Sequence, residues 1–147
     1  MENVEIREFG RQDMALADEI EALAGQLTSS PAAFAPERLA VMASDRASRL
    51  FLLVAAGRVA GMLSMGVYMT PTGRKAWIED VVVDTAYRGR GFGRMLVEHA
   101  VEYARQLAPV TLMLTSRPSR TEANALYRTA GFGLKTTNVY RMDITEK

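Results

Sequence analysis

Between Arg88 and Arg94 the chain interleaves glycine with arginine, in the run Arg88-Gly89-Arg90-Gly91-Phe92-Gly93-Arg94. Glycine at alternate positions lets the backbone turn its N–H groups to one side, and a ligand can approach with no Cβ in the way. The β-branched run Val81-Val82-Val83 closes at Asp84 just before this loop, and the amphipathic segment Met95 to Leu107 follows it. That segment is long enough for a helix. The first N–H groups of a helix have no partner inside it and carry partial positive charge, so they attract an anion. Arginine adds charge and paired donors. Strand, loop and helix together predict a phosphate site.

The dinucleotide pattern Gly-x-Gly-x-x-Gly would need glycine at position 94, where Arg94 stands, and no Gly-Lys pair exists for a Walker A loop. The pattern that fits is Arg-x-x-Gly-x-Gly, from Arg88, Gly91 and Gly93. Taken by itself, the loop could also be a tight turn with basic decoration. A second candidate lies downstream, Asn124-x-x-Tyr127-x-x-x-Gly131-Phe132. Helical positions three apart share a face, so Asn124 and Tyr127 can point into one cleft, although a tyrosine there is also a packing residue. A third is Glu79-Asp80, inside Trp77-Ile78-Glu79-Asp80-Val81. Neighbouring residues in a strand point to opposite faces, so one carboxylate serves a given cleft. Without a bulge, Glu79 shares its face with Trp77, Val81 and Val83. An acid between apolar neighbours loses hydration, which raises its pKa toward the range useful to a general base. The competing role for the pair is one solvent-facing carboxylate and one structural ion pair.

In the Arg88 loop and in the Asn124 to Phe132 helix end, the chain resembles the GNAT family of acetyl-CoA-dependent N-acetyltransferases, from about Phe51 to Ile144. The resemblance implies an α/β fold with a mixed central sheet of about six to seven strands, about four flanking helices and a splayed parallel strand pair. It also implies an enzyme that moves the acetyl group of acetyl-CoA directly to a primary amine. The diphosphate would lie on the N–H groups of Gly89, Arg90, Gly91, Phe92, Gly93 and Arg94, with Arg88 beside them. The pantetheine arm would run along Val81, Val82 and Val83 and touch Asn124. Glu79, favoured over Asp80, would take the proton of the amine, and Tyr127 would protonate the thiolate. The family commonly carries a bulge in this strand, which bears on the parity of Glu79. The run Ile78 to Val83 is also similar to members acting on glucosamine 6-phosphate, but Thr115 to Tyr127 does not match that subgroup. A non-catalytic acyl-CoA-binding module and a nucleotide-binding protein are the alternatives of other classes.

Length and composition narrow the classes. With 147 residues, 48% hydrophobic and 24% charged, the chain is read as one globular domain, 1–147. A net charge of +1 from 18 basic and 17 acidic residues supplies no field for general nucleic-acid binding. Cysteine is absent, which removes disulfides, thiolate metal sites and a cysteine acyl-enzyme, and the single histidine leaves no basis for a zinc site. His99 falls near the edge of a helical apolar face and is read as a boundary residue. No signal sequence or membrane span is expected, so the expected setting is cytoplasmic. A small-molecule or protein amine is the expected partner, and an open sheet edge would allow a homodimer.

The elements that must position these groups follow from periodicity. Val4 to Phe9 is a weak strand. Leu16, Ile20, Leu23 and Leu27 mark one face of a helix from Asp13 to Thr28, broken by Ser29-Ser30-Pro31. Pro36 opens a second helix with Leu39, Met42 and Ala43. Phe51 to Ala55 and Val59 to Met69 form a hairpin about Gly57-Arg58, with Gly61 and Gly66 marking a bulge or close packing. Pro71-Thr72-Gly73 leads to a strand from Ala76 to Asp84. Val110 to Thr115 completes a parallel βαβ unit around the Met95 helix. Ser119 and Glu122 form a capping box for the Asn124 helix, which stops at Gly131. Phe132 to Leu134 and Val139 to Ile144 are the last strand pieces.

Overall fold

The structure is a computed structural model that describes residues 3–27 and 34–146. Five strands lie in the order β1 (Val4–Glu8), β2 (Ser48–Ala55), β3 (Arg58–Thr70), β4 (Gly73–Val83) and β5 (Val110–Met113). Neighbours are antiparallel from β1 to β4, and β4 with β5 is parallel. Four α-helices are described, α1 (Ala17–Leu27), α2 (Pro36–Ser44), α3 (Phe92–Gln106) and α4 (Thr121–Thr129). The break expected at Ser29 to Pro31 lies outside the described residues.

Helices cover the sheet on both faces, which is why β2 reads as a continuous apolar run instead of an alternating one. Phe51, Leu53, Leu63 and Ile78 pack with Phe92, Leu96, Val97 and Tyr127 on the α3 and α4 side. Leu50, Leu52, Met62 and Val82 pack with Ile20, Leu23 and Leu39 on the α1 and α2 side. Gly61 belongs to the first contact: a Cβ there would sit 3.1 Å from both Leu96 Cδ1 and Val82 O, so α3 can approach only because the side chain is missing.

Several boundaries differ from the sequence expectation. The β2–β3 turn is Ala56-Gly57, with φ of 50° and 81°, one residue earlier than Gly57-Arg58. Positive φ at both central positions makes it the hairpin turn whose twist matches the strands. The Asp13 helix begins as a 3-10 turn, Arg11–Leu16, because the Asp13 side chain is used locally. It is buried, accepts from Gly10 N at 2.9 Å and pairs with Arg7. The Ser119 capping box does not form: α4 starts at Thr121 without a side-chain cap, after Thr121 N bonds Ser119 O. The largest difference is at the C-terminus. No strand follows Met113 among the described residues, so the sheet has five strands and not six to seven, and Leu134, Val139, Tyr140, Met142 and Ile144 are exposed.

Candidate active site

The parallel pair β4–β5 holds only from Arg74 opposite Val110 to Trp77 opposite Met113. β4 continues to Val83, still paired with β3 on its other side. From Ile78 onward its β5-facing edge is therefore open, and the two strands part. A bulge coincides with the parting. Leu63 pairs with Val81 and Met65 with Ile78, so Glu79 and Asp80 together stand opposite Ser64. The extra residue flips the parity of everything after it. Ala76 and Ile78 face α3 before the bulge, Val81 and Val83 face it afterwards, and Val82 joins the α1 side.

The bulge removes the condition on which Glu79 was expected to share a face with Val81 and Val83. Glu79 does not share a face with Val81 and Val83, and the two acids are not divided between opposite clefts. Both line a narrow cleft of about 180 Å³ between the parting strands, with Leu114, Thr115, Arg120 and Tyr127. Asp80 also lines a larger cavity of about 450 Å³ under α1 and α2, walled by Leu39, Met42 and Met62 with Glu21, Arg38 and Ser64 among its polar groups. Leu27 and Asp80 line both the cavity and the cleft, and Asp80 is the polar one of the two. Both residues are exposed, although their sequence neighbours are apolar.

At the far end of the open edge lies the glycine loop. Asp84 Oδ1 accepts from Ala86 N at 3.0 Å and shapes the turn that leaves β4. Gly89 and Gly91 adopt φ of 83° and 79°, the left-handed region that L side chains rarely enter. Gly91 is the N-cap of α3 and offers no side chain to the helix, whose first bond inward is Met95 N to Gly91 O at 3.1 Å. The amides of Phe92, Gly93 and Arg94 consequently have no acceptor within the helix. Gly93 needs no unusual φ, and a Cβ there would meet Val83 Cγ2 at 3.8 Å and Leu126 Cδ2 at 3.9 Å, ordinary contacts. Two of the arginines already have protein partners. Arg88 Nε donates to Val83 O at 3.3 Å, and the Arg90 guanidinium lies 5.1 Å from the centre of the Tyr87 ring, which stacks on Phe92. Arg94 is exposed beside the free amides.

A family model described as the acetyltransferase (GNAT) family matches residues 16–132. The chain belongs to the acetyltransferase (GNAT) family. It is 36% identical over 101 residues to glucosamine 6-phosphate N-acetyltransferase 1 of Oryza sativa subsp. japonica, covering 69% of this chain and 56% of that one. It is 40% identical over 58 residues to a ribosomal protein bS18-alanine N-acetyltransferase of Salmonella typhimurium, covering 40% of this chain and 39% of the relative. The chain thus spans about half the length of the curated relatives it matches. In fold it is similar to an aminoglycoside acetyltransferase from an uncultured soil metagenomic sample, with TM-score 0.83, 16% identity and 97% of each chain covered.

Against this GNAT frame, the remaining predicted residues take distinct places. Tyr127 is a buried core residue, edge-on to Phe132 at 6.1 Å, that also reaches the cleft. Packing and cleft lining are both true of it. Asn124 Nδ2 donates to Arg120 O at 2.7 Å and Arg117 O at 2.9 Å, so its amide braces the loop that carries Arg120 into the cleft. His99 lies away from the cleft with its ring edge-on to Phe51 at 4.8 Å, where burial lowers its pKa and the charge of Glu8 opposes that shift. Sequence reasoning missed Arg120 and Thr115. Thr115 sits in no motif and Arg120 only at a variable position of the expected capping box, and the parting of β5 from β4 brings them beside Glu79. Among the described residues no helix is long and apolar enough to cross a membrane.

Proposed function

We propose that this chain transfers the acetyl group of acetyl-CoA to a primary amine, in a single direct step at the cleft between β4 and β5. The observation that carries this reading is the open edge of β4 from Ile78 to Val83, which leads from a carboxylate pair to a helix N-terminus with free amides. An extended arm bonded to such an edge is strand addition by a ligand. Acetyl-CoA would supply the activated acyl group and the thiol leaving group.

The residues present fit that ligand. The amides of Phe92, Gly93 and Arg94, with the loop from Arg88 to Gly91, would hold the diphosphate. Val81 and Val83 would offer backbone partners to the arm, Val82 between them being paired with Met62 of β3, and Asn124 would keep the Arg117 to Arg120 wall in place. An amine passing from the 450 Å³ cavity into the cleft would meet Asp80 at the junction, the charged residue that lines both spaces. We assign Asp80 to hold the ammonium and Glu79, inside the cleft, to remove its proton. Tyr127, on the opposite wall, would return a proton to the departing sulfur. Holding both reactants in one cleft supplies much of the acceleration, because a bimolecular encounter becomes a local one. The acceptor is an amine of a small molecule or of a protein.

The test is thiol release from acetyl-CoA with a panel of amines. Release that depends on the amine and disappears in the Glu79→Gln, Asp80→Asn double variant supports the assignment. Tight coenzyme A binding with no amine-dependent release would instead favour an acyl-CoA-binding module.

A further inference from the structure

The cavity under α1 and α2 has an apolar floor and a charged rim. Ile20 of α1, Leu39 of α2, Leu50 of β2 and Met62 of β3 line it as buried core residues. Ala24, Phe34 and Met42 also line it and are only half-buried, so apolar surface stays uncovered in the space they help to enclose. The charged lining residues Glu21, Arg38 and Asp80 are exposed, and Ser64 is half-buried. A volume of about 450 Å³ lies within the range of small-molecule pockets, roughly 300–1,000 Å³.

Such a lining suits neither a sugar nor a polycation. A hydroxyl that leaves water without finding a partner is costly, and the polar side chains of the described lining are confined to Glu21, Arg38, Ser64 and Asp80. A sugar phosphate would also meet two acids and a single cation. A polycation calls for several carboxylates in excess. Here the charges of Glu21 and Arg38 sum to zero, which leaves the one acid Asp80, at the junction with the cleft. One ammonium at Asp80 with an uncharged apolar body behind it matches both the charge and the walls.

Resting on the acetyl-transfer reading above, we infer that the acceptor is a small primary monoamine with an apolar body, an alkylamine or aralkylamine. Its ammonium sits at Asp80 beside Ser64, the residue opposite the bulge, and its body covers Leu39, Met42 and Met62. In the cleft the nitrogen gives a proton to Glu79 and bonds the acetyl carbon as the carbon–sulfur bond breaks. Ammonium and thioester become an amide, a thiol and one proton passed to solvent. Choice among amines then belongs to Phe34, Met42 and Met62, which take no part in making or breaking bonds. Burial of the amine's apolar body is the driving force of that choice.

The test is kcat/KM for thiol release along the linear series from propylamine to heptylamine, against glucosamine 6-phosphate and a heptane diamine with an amine at each end. Each methylene moved from water onto the apolar walls should raise kcat/KM by up to roughly fourfold. Both polar comparisons should fall below heptylamine. The Phe34→Gln, Met42→Gln variant should show a shallower series with its coenzyme A affinity unchanged, and a series as steep as that of the unmodified protein places the amine body elsewhere. A flat series, or a higher kcat/KM for either polar comparison, overturns the apolar assignment and leaves acetyl transfer standing. Failure of every amine to release thiol removes acetyl transfer instead, and calorimetric titration with the same amines then decides the cavity's preference. A Kd that tightens with chain length upholds it, and a Kd indifferent to length overturns it.

Discussion

Gly93→Ala separates ligand binding from folding, because the fold has room for a methyl there while a diphosphate on the helix start would need the same room. A methyl at this position meets Val83 Cγ2 at 3.8 Å and Leu126 Cδ2 at 3.9 Å, so the fold accepts it without displacement. Replacing glycine by alanine near a helix start should leave stability equal or raise it by about 0.5–1 kcal/mol. Standing between Val83 and Leu126, the methyl narrows the space through which a diphosphate would reach the amides of α3. Losing one charge-assisted hydrogen bond costs about 1.5–3 kcal/mol, which corresponds to roughly 10- to 150-fold in Kd. Gly91→Ala is the contrasting variant, since φ of 79° there puts the strain into the fold itself, at about 1–2 kcal/mol. Calorimetric titration with coenzyme A measures the affinities, and urea denaturation measures the stabilities. Pantetheine, which lacks the diphosphate, should bind the Gly93→Ala variant as it binds the unmodified protein. Unchanged affinity of Gly93→Ala for coenzyme A would refute the placement of the diphosphate at this helix start.

Three further outcomes are expected. Tyr127→Phe keeps the ring that packs on Phe132, so denaturation should move by less than about 1 kcal/mol, while turnover falls and coenzyme A affinity holds; unaltered turnover would make Tyr127 a packing residue only. Glu79→Gln should lower kcat most at acid pH, where deprotonation of the amine limits the rate, whereas Asp80→Asn should chiefly raise KM for the amine; identical profiles for the two would contradict the division of roles between them. His99 has a folded pKa below its ordinary value of 6.5, because burial disfavours the imidazolium. The unfolded chain then binds the proton first, so stability is full above about pH 6.5 and falls as pH drops through the folded value. A His99→Gln variant should show a flatter stability profile across that window, and an equal slope would place the acid sensitivity elsewhere.

Much of the site is local, and what is local can be read from the chain. A strand, a glycine loop and a helix start occupy consecutive residues from Val81 to Leu107, and their roles follow from backbone conformation and unpaired amides over a few positions. α3 begins at Phe92 instead of Met95, a small shift that sets the glycines directly on the helix end. Asn124 and Tyr127 were legible as helical neighbours, but not that the Asn124 amide is spent on the carbonyls of Arg117 and Arg120. The matching family model extends the same local signals over residues 16–132.

Sequence therefore determined most of the elements, the glycine loop at the start of α3 and the family to which the chain belongs, since each rests on contacts within a few residues. Tertiary structure decided which way Glu79 and Asp80 face, because a bulge is a mismatch in length between β4 and its partner β3 and leaves no mark in either strand alone. It likewise decided where β5 leaves β4, and so which residues line the cleft. The C-terminal segment makes the same point in reverse. Its alternation from Tyr140 to Ile144 forecasts a strand, but a strand exists only where another edge meets its hydrogen bonds, and nothing in the segment itself says whose edge that is.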